Sequence, residues 1–275
     1  MSGHSVFETH RVYIDAADMV QRIAAGLALD GLVTFECDPE RDAVLALALR
    51  LLIPWQHRDA DPDGITLICD REALARRRGY AGFGRGELEL HTELSSAPRP
   101  PALLMLFCAR AASSGGASLI ADGARVYADL ADRDPGAAMA LACPGTAVFG
   151  EPGRVGAVFE PELDGWLRVR LRLDDLASFS PDARQALPRL REVIARHMAE
   201  LPLTPGQAFL IDNTRMLHGR RPFTGSRVMY RILGHPAPGL VLQPGFHPAP
   251  RRLSGGLPDP EGRPARPCSP AGRPR

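Results

Sequence analysis

Short apolar stretches that alternate with polar residues recur along the chain and predict β-strands. The clearest is "WLRVRLR" (166–172), where arginines alternate with apolar residues. A period of two places successive side chains on opposite faces of an extended segment. Similar or continuously apolar runs predict strands over residues 31–37, 64–70, 88–93, 102–109, 117–122, 206–212 and 228–234, with further β segments in "TAVFG" and "AVFEP".

Apolar residues at three- and four-residue spacings predict helices between these strands. The helical stretches are residues 40–52, 71–78, 123–132 and 181–200. In the longest of them, "SPDAR" places Ser180 as a cap and Pro181 in the first turn. Many short strands with helices grouped outside them indicate a β-sandwich or barrel core decorated by helices.

The chain changes character at residue 236. Eleven of the 26 prolines lie in residues 236–275, where the sequence ends "EGRPARPCSPAGRPR". Such a segment forms neither sheet ladders nor a core. We therefore expect one domain over residues 1–235 and a flexible Pro/Arg/Gly-rich tail over residues 236–275.

Composition and charge exclude several classes of protein. The 275 residues are 45% hydrophobic, enough for a sizeable core, and the net charge of +1 predicts neither a nucleic-acid nor a membrane partner. The N-terminal "MSGHSVFETHRVYID" lacks an apolar signal core, and no apolar stretch reaches the length of a membrane span. We expect a cytoplasmic protein. The sequence contains no lysine, so a single surface arginine carries less information than usual.

Two short motifs match known functional patterns but lack their context. "GFGRG" (82–86) resembles a glycine-rich phosphate loop, yet a strand follows it instead of the helix that would receive the phosphate. "HRD" (57–59) matches part of a kinase catalytic loop, whose other signature residues are missing. We expect neither motif to carry function.

The segment "LELHTE" raises the question of a metal site. With eight histidines and 32 acidic residues, about one His-x-Asp/Glu match is expected by chance, and two occur, at His57/Asp59 and His91/Glu93. Residues i and i+2 of a strand project from one face, so His91 and Glu93 can reach one ion together. His57 falls in a segment with loop character. A facial triad needs a third, distant ligand, and His218, just after an apolar strand, is the candidate.

Two arginines follow His218 in "GRRPFTGSRVMYRILG". Arg227 and Arg231 lie four residues apart and share a face in strict alternation. An arginine within an apolar strand is costly unless it meets an anion. Two such residues near a metal predict carboxylates or comparable anions in the same pocket; the alternative is an exposed edge strand.

Together these motifs resemble the Fe(II)/2-oxoglutarate-dependent oxygenases of the taurine dioxygenase and clavaminate synthase group (TauD/TfdA). "LELHTE" is similar to the metal motif of the clavaminate-synthase-like branch, and "GGASLIAD" to the segment that follows it. "IDNTRMLHGRRPFTGSRVMYR" resembles the distal segment, with its histidine and its R-x-x-x-R pair. The resemblance covers residues 86–235 and implies an α+β fold with a double-stranded β-helix (jelly-roll) core decorated by helices.

Carried over position by position, the resemblance implies functional residues. His91, Glu93 and His218 would be the iron ligands. Arg227 would bind the distal carboxylate of 2-oxoglutarate with help from the Ser118 hydroxyl, and Arg231 would bind an anionic group of the substrate. The spacing from His218 leaves open which of the two arginines holds 2-oxoglutarate.

The resemblance also implies a reaction. Fe(II), the cosubstrate 2-oxoglutarate and O2 would hydroxylate a C–H bond of a small substrate that bears a carboxylate, with release of succinate and CO2. An amino acid or a derivative of one, in specialised metabolism such as antibiotic biosynthesis, is the leading expectation. Leu94 stands where free-amino-acid hydroxylases of this group often carry an acidic residue.

Other functions stay open on the sequence alone. The same iron centre also serves desaturation and cyclisation. Because two histidines and a glutamate also form a catalytic zinc set, a zinc hydrolase is a second class. A non-catalytic jelly-roll binding protein is the third.

Overall fold

The computed structural model describes residues 5–243 and 245–248 as a mixture of helices and antiparallel strands. The strands are β1 (Leu32–Glu36), β2 (Leu52–Pro54), β3 (Ile65–Cys69), β4 (Leu88–His91), β5 (Leu103–Arg110), β6 (Ser114–Gly115), β7 (Ser118–Asp122), β8 (Ala147–Phe149), β9 (Arg154–Gly156), β10 (Phe159–Pro161), β11 (Leu167–Val169), β12 (Ala177–Phe179), β13 (Ala199–Leu201), β14 (Gln207–Asp212), β15 (Met216–Arg220), β16 (Phe223–Thr224) and β17 (Val228–Pro236). The α-helices are α1 (Val6–Thr9), α2 (Met19–Asp30), α3 (Arg41–Leu51), α4 (Glu72–Ala75), α5 (Gly123–Arg133), α6 (Pro135–Ala142) and α7 (Pro181–His197).

Two antiparallel sheets form the centre of the molecule. The larger sheet has the order β1-β14-β5-β17-β2, with β3 also paired to β17. The smaller sheet has the order β13-β7-β15-β4. Since sequence neighbours are mostly not sheet neighbours, the chain crosses between the two sheets repeatedly.

A shared apolar cluster lies between the two sheets. Leu104, Phe209 and Leu233 of the larger sheet and Ile120 and Met216 of the smaller one are all at least 96% buried within it. On its outer face the larger sheet packs against α2 and α3, and the smaller sheet packs against α5, α6 and α7. The core therefore has four layers, with helices outside both sheets.

The predicted elements lie close to the observed ones, with a few instructive differences. The longest helix begins as predicted, with the Ser180 hydroxyl accepting a hydrogen bond from the Ala183 N–H and Pro181 in the first turn. It ends at His197, and β13 replaces the rest of the predicted helix. The prediction also missed β15: the segment "MLHGR" carries a glycine and two polar residues, so its strand character comes from pairing with β7 and β4.

The domain continues beyond the predicted boundary at residue 235. Strand β17 ends at Pro236, Leu240 packs against the core, and Phe246 bridges to Leu167 of β11. The rest of the predicted tail, residues 249–275, lies outside the described residues, and its flexibility stays a prediction.

None of the helices in the described part is long and apolar enough to cross a membrane. The cytoplasmic location predicted from the sequence stays a prediction.

Candidate active site

Two histidines and a glutamate meet where β4 and β15 pair. His91 ends β4, and His218 lies directly opposite it on β15. Glu93 follows two residues after His91. One ligand atom from each of the three side chains lies within 4.8 Å of the others, and the part of the chain that the structure describes holds no second cluster of this kind. The sequence placed His218 after a strand; its position within β15 is what brings it opposite His91.

The two imidazoles are held with their rings close together. Their centroids are 4.3 Å apart, and Nδ1 of His91 donates a hydrogen bond of 2.8 Å to the carbonyl oxygen of Glu89. This assigned tautomer leaves Nε2 of His91 with a lone pair. Burial and the neighbouring His218 lower the pKa of His91 to about 4, so the ring is neutral at pH 7.

The backbone of Glu93 is clamped by a distant side chain. The Asn213 side-chain oxygen accepts from the Glu93 N–H at 2.8 Å, and its Nδ2 donates to the Glu93 carbonyl at 3.1 Å and to the Pro101 carbonyl at 2.9 Å. Asn213 is 1% exposed. It follows β14 directly, so the larger sheet fixes the position of the glutamate that ends the β4 segment.

The Glu93 carboxylate has a cationic partner in Arg231. Nη1 of Arg231 donates to Oε2 of Glu93 at 2.8 Å, and His218 Nε2 lies 3.8 Å from the same oxygen. Burial alone would raise the pKa of Glu93, but Arg231 and the two histidines outweigh it and hold the pKa well below its usual range. The carboxylate is therefore ionised at neutral pH.

Arg231 thus lies beside the candidate ligands, and one of its terminal nitrogens is bonded to Glu93. Its Nη2 lies 3.5 Å from Nδ1 of His57, a residue that the sequence did not assign to the site. The loop that carries His57 reaches the same cavity but adds no atom to the His91, Glu93 and His218 cluster.

Arg227 is a buried cation without an anionic partner among the described residues. It is 6% exposed and makes no hydrogen bond or ion pair with any described residue. Its guanidinium lies over the Phe223 ring, 5.7 Å from the centroid. Burial, with a smaller contribution from the nearby Arg220, lowers the pKa of Arg227 to about 10, which still leaves it charged. A charge held in this way is complementary to an anion that enters from the cavity.

Ser118 and Gly116 lie next to Arg227. Ser118 is 2% exposed at the start of β7, and its side chain makes no hydrogen bond within the described residues. Gly116 has φ of 74°, and a Cβ there would come within 3.1–3.2 Å of the Arg227 side chain. Gly116 therefore makes room for the arginine, and the Ser118 hydroxyl lines the same space.

Arg220 holds the glycine-rich loop at the side of this space. Its two terminal nitrogens donate to the carbonyl oxygens of Gly82, Gly84 and Gly86 at 2.7–3.0 Å. The "GFGRG" segment thus presents carbonyls to a buried guanidinium, which is the opposite polarity to a phosphate loop. Strand β4 follows it, as predicted.

One cavity of about 640 Å³ connects these groups. The predicted metal ligands, Ser118, Arg227 and Arg231 all line it. Its wall also contains Trp55, Tyr80 and Phe83, and the loop after β11 contributes Arg172 and Asp174. The structure therefore brings every site residue predicted from the sequence into one pocket of small-molecule size.

Several residues of the site were not predicted. Asn213, Arg220, Arg172 and Asp174 were missed, although two of them had a weak signal. Asn213 follows a fully apolar strand, and Arg172 continues the alternation of "WLRVRLR". The partners of Asn213 and Arg220 lie more than 110 residues away in sequence, and no local pattern reveals such pairings. Arg172 and Asp174 pair with each other two residues apart, and only the fold brings that pair to the cavity.

Comparisons with known proteins agree with this geometry. Residues 4–142 and 158–233 match the family described as "Taurine catabolism dioxygenase TauD, TfdA family". A uridine-5'-phosphate dioxygenase from Amycolatopsis sp. is 30% identical over 133 residues, which cover 43% of this chain and 48% of that protein. The chain thus matches about half the length of this curated relative.

Solved structures share the fold at low identity. An asparagine oxygenase in complex with Fe(II), 3-hydroxyasparagine and succinate superposes with a TM-score of 0.60 at 17% identity, covering 80% of this chain and 84% of that one. The non-heme iron oxygenase OrfP in complex with Fe and α-ketoglutaric acid gives a TM-score of 0.57 at 17% identity, covering 79% of each chain. With the family match spanning most of its length, the chain belongs to the TauD/TfdA family of dioxygenases.

Proposed function

We propose that this protein is a non-haem Fe(II)- and 2-oxoglutarate-dependent dioxygenase that hydroxylates a C–H bond of an amino acid or an amino-acid-derived small molecule. The proposal rests mainly on one observation. A two-histidine, one-carboxylate cluster opens onto the same cavity as a buried arginine that has no anionic partner among the described residues. The cluster matches an iron site with open positions, and the arginine matches a dicarboxylate cosubstrate.

The strand order supports a double-stranded β-helix as the core. In that architecture, eight strands pass back and forth between two four-stranded antiparallel sheets. Taking β3, β4, β5, β7, β13, β14, β15 and β17 as strands one to eight, the larger sheet reads one-eight-three-six and the smaller reads two-seven-four-five. The two segments that would bind the metal, at the end of β4 and within β15, then lie on neighbouring strands of the smaller sheet.

The residues present fit a divalent iron ion. The donor set is two imidazoles and one ionised carboxylate, and the tautomer of His91 leaves Nε2 free to bind. We assign His91, Glu93 and His218 as the ligands. Iron with 2-oxoglutarate and O2 supplies the oxidising chemistry, in which one oxygen atom enters the substrate and the other enters succinate.

The chain itself binds and orients the reactants. Arg227 would pair with the distal carboxylate of 2-oxoglutarate, and the Ser118 hydroxyl would donate a further hydrogen bond. Asn213 fixes the backbone of Glu93, and Arg231 holds one of its carboxylate oxygens. Arg231 would also contact an anionic group of the substrate, because only one of its nitrogens is bonded to Glu93.

Two kinds of substrate have support among the relatives. The asparagine oxygenase and OrfP structures hold hydroxylated amino acids, which favours an amino-acid substrate. The uridine-5'-phosphate dioxygenase favours a nucleotide as the second candidate. Desaturation or cyclisation by the same centre, a zinc hydrolase and a non-catalytic binding protein are the alternatives to be tested.

A turnover assay tests the proposed activity. Wild-type protein with Fe(II), 2-oxoglutarate and O2 should release succinate, and Glu93→Ala should lower this release about 100-fold or more because a metal ligand is lost. Glu89→Ala is the matched control, since Glu89 is also an acidic residue of β4 but its side chain is 57% exposed. Retained release in Glu93→Ala, or activity with Zn(II) in place of Fe(II), would overturn the proposal.

A further inference from the structure

The charges that line the cavity are almost all paired. Four of its six arginines lie within 4 Å of a carboxylate of the cavity wall: Arg58 with Asp59, Arg78 with Glu151, Arg172 with Asp174 and Arg231 with Glu93. The other two, Arg220 and Arg227, have no carboxylate partner among the described residues, and Arg220 is bonded to three carbonyls. If Arg227 holds 2-oxoglutarate and Arg220 stays bonded to the three carbonyls, no buried arginine of the cavity is left with both terminal nitrogens free for a phosphate dianion. The cavity is better matched to a substrate with no net charge, such as a zwitterion.

One of these pairs lies next to the candidate metal ligands. The Thr92 N–H donates to the Leu171 carbonyl at 2.8 Å, and the Leu171 N–H donates to the Thr92 hydroxyl at 3.1 Å. These two bonds hold the chain after β11 alongside the segment between His91 and Glu93. Arg172 and Asp174 follow directly and line the cavity there.

Asp174 is the most firmly held carboxylate of the cavity apart from the candidate ligand Glu93. Arg172 donates to its two oxygens from Nε at 2.7 Å and from Nη2 at 2.5 Å, and the Leu176 N–H donates to Oδ1 at 3.2 Å. These bonds fix the plane of the carboxylate, while its side chain keeps 43% exposure. Oδ2 accepts only one of the bonds, so it has a lone pair left for a cation or an N–H donor.

Other carboxylates of the wall are held less well. Asp59, the nearest alternative, lies 3.6 Å from His57 and 3.5 Å from Arg58, and its carboxylate makes no hydrogen bond within the described residues. Glu89 and Glu151 are more than half exposed. The residue after Glu93 is Leu94, an apolar side chain that offers no acceptor.

We propose that Asp174 binds the ammonium group of a free amino-acid substrate, and that Arg172 is the positioning residue that fixes the Asp174 carboxylate. This inference rests on the proposed function and names the substrate class of the same site. A free amine would thereby be selected over an N-acylated one, because acylation removes the positive charge that Asp174 recognises. A substrate bound in this way would have its ammonium group at Asp174 and its carboxylate at Arg231, two residues that line the same cavity.

The test compares free and blocked amino acids. Succinate release is measured with the proteinogenic L-amino acids, their N-acetyl derivatives and uridine 5'-phosphate, for wild type, Asp174→Asn, Asp59→Asn and Asp132→Asn. Asp132 is an exposed control on helix α5, away from the cavity. We expect at least one free amino acid, and not its N-acetyl derivative, to stimulate wild type. Asp174→Asn should raise KM for that amino acid about 10- to 100-fold. Asp174→Glu should give a KM between those of Asp174→Asn and wild type, and Asp132→Asn should leave KM unchanged.

A second measurement separates this inference from the proposed function. KM for 2-oxoglutarate and the absorption band of the Fe(II)–2-oxoglutarate complex should be the same in Asp174→Asn as in wild type. Equal stimulation by N-acetyl derivatives, stimulation by uridine 5'-phosphate alone, or a KM effect confined to Asp59→Asn would overturn the role of Asp174 while leaving the oxygenase intact. Absence of the absorption band in folded wild type would overturn both.

Discussion

Individual hydrogen bonds decide which atoms of the cluster face the cavity. The Glu89 carbonyl selects the tautomer of His91, and the Asn213 amide fixes the backbone of Glu93. The pair at positions 91 and 93 could be predicted because residues two apart on a strand share a face. The Asn213 contact could not, since it joins residues 120 positions apart through side-chain geometry.

A single substitution at Arg227 tests how 2-oxoglutarate is bound. Replacing it by methionine should raise KM for 2-oxoglutarate about 10- to 100-fold, because a charge-assisted bond to the carboxylate is lost. Without 2-oxoglutarate, the variant should melt at the same temperature as wild type or higher, since the native guanidinium is buried and no described residue offers it an anion. Kinetics and thermal melts with and without 2-oxoglutarate check both effects.

Two further variants show whether the change in KM for 2-oxoglutarate is specific to Arg227. Arg110→Met is the matched control, since the Arg110 side chain is exposed and, within the described part of the chain, bonds only to the Ser226 hydroxyl. If Arg231→Met and not Arg227→Met loses the response to 2-oxoglutarate, the cosubstrate role belongs to Arg231.

Among the elements, the buried strands were predictable and β15 was not. Strands β5 and β14 are nearly all apolar, so their hydrophobic runs identify them directly. Strand β15 contains His218, Gly219 and Arg220, and all five of its residues are nevertheless buried. Gly219 is needed there because a Cβ would lie 2.5 Å from the Leu88 carbonyl oxygen of β4. Pairing with two neighbours, which no local pattern encodes, makes this segment a strand.

The turn between β14 and β15 contains a carboxyl with a raised pKa. Asp212 is 1% exposed and accepts hydrogen bonds from the Thr214 N–H at 2.8 Å and the Thr214 hydroxyl at 2.6 Å. Burial raises its pKa from 3.8 to about 6, and the Thr214 bonds only partly oppose this. Because the folded state keeps the proton that the unfolded chain releases, the contribution of Asp212 to stability is complete below about pH 4 and is lost as the pH rises through 6.

Urea unfolding of wild type and Asp212→Asn at several pH values tests this effect. The free energy of unfolding of wild type, relative to that of the variant, should fall between about pH 4 and pH 7. The fall should be on the order of 3 kcal/mol or less. A difference that does not change with pH would show that Asp212 has an ordinary pKa in the folded protein.

On the scale of the whole molecule, the two sheets bring three distant segments to one cavity. The β4 segment supplies two candidate ligands, β15 the third, and the β17 segment the two arginines. The order of these motifs along the chain allowed the family to be identified from the sequence. The pairing of Arg231 with Glu93 and of Arg78 with Glu151 could not be foreseen, because these partners lie 138 and 73 residues apart in sequence and only the folded molecule brings them together.

The most direct test of the whole account is an anaerobic titration of the metal-free protein with Fe(II) and then with 2-oxoglutarate, followed by visible absorption. We expect the metal-to-ligand charge-transfer band of an iron–2-oxoglutarate complex in wild type and in Glu89→Ala, and its loss in Glu93→Ala. A folded wild-type protein that gives no band, or a Glu93→Ala variant that gives the full band, would contradict the assignment of this cavity as an iron and 2-oxoglutarate site.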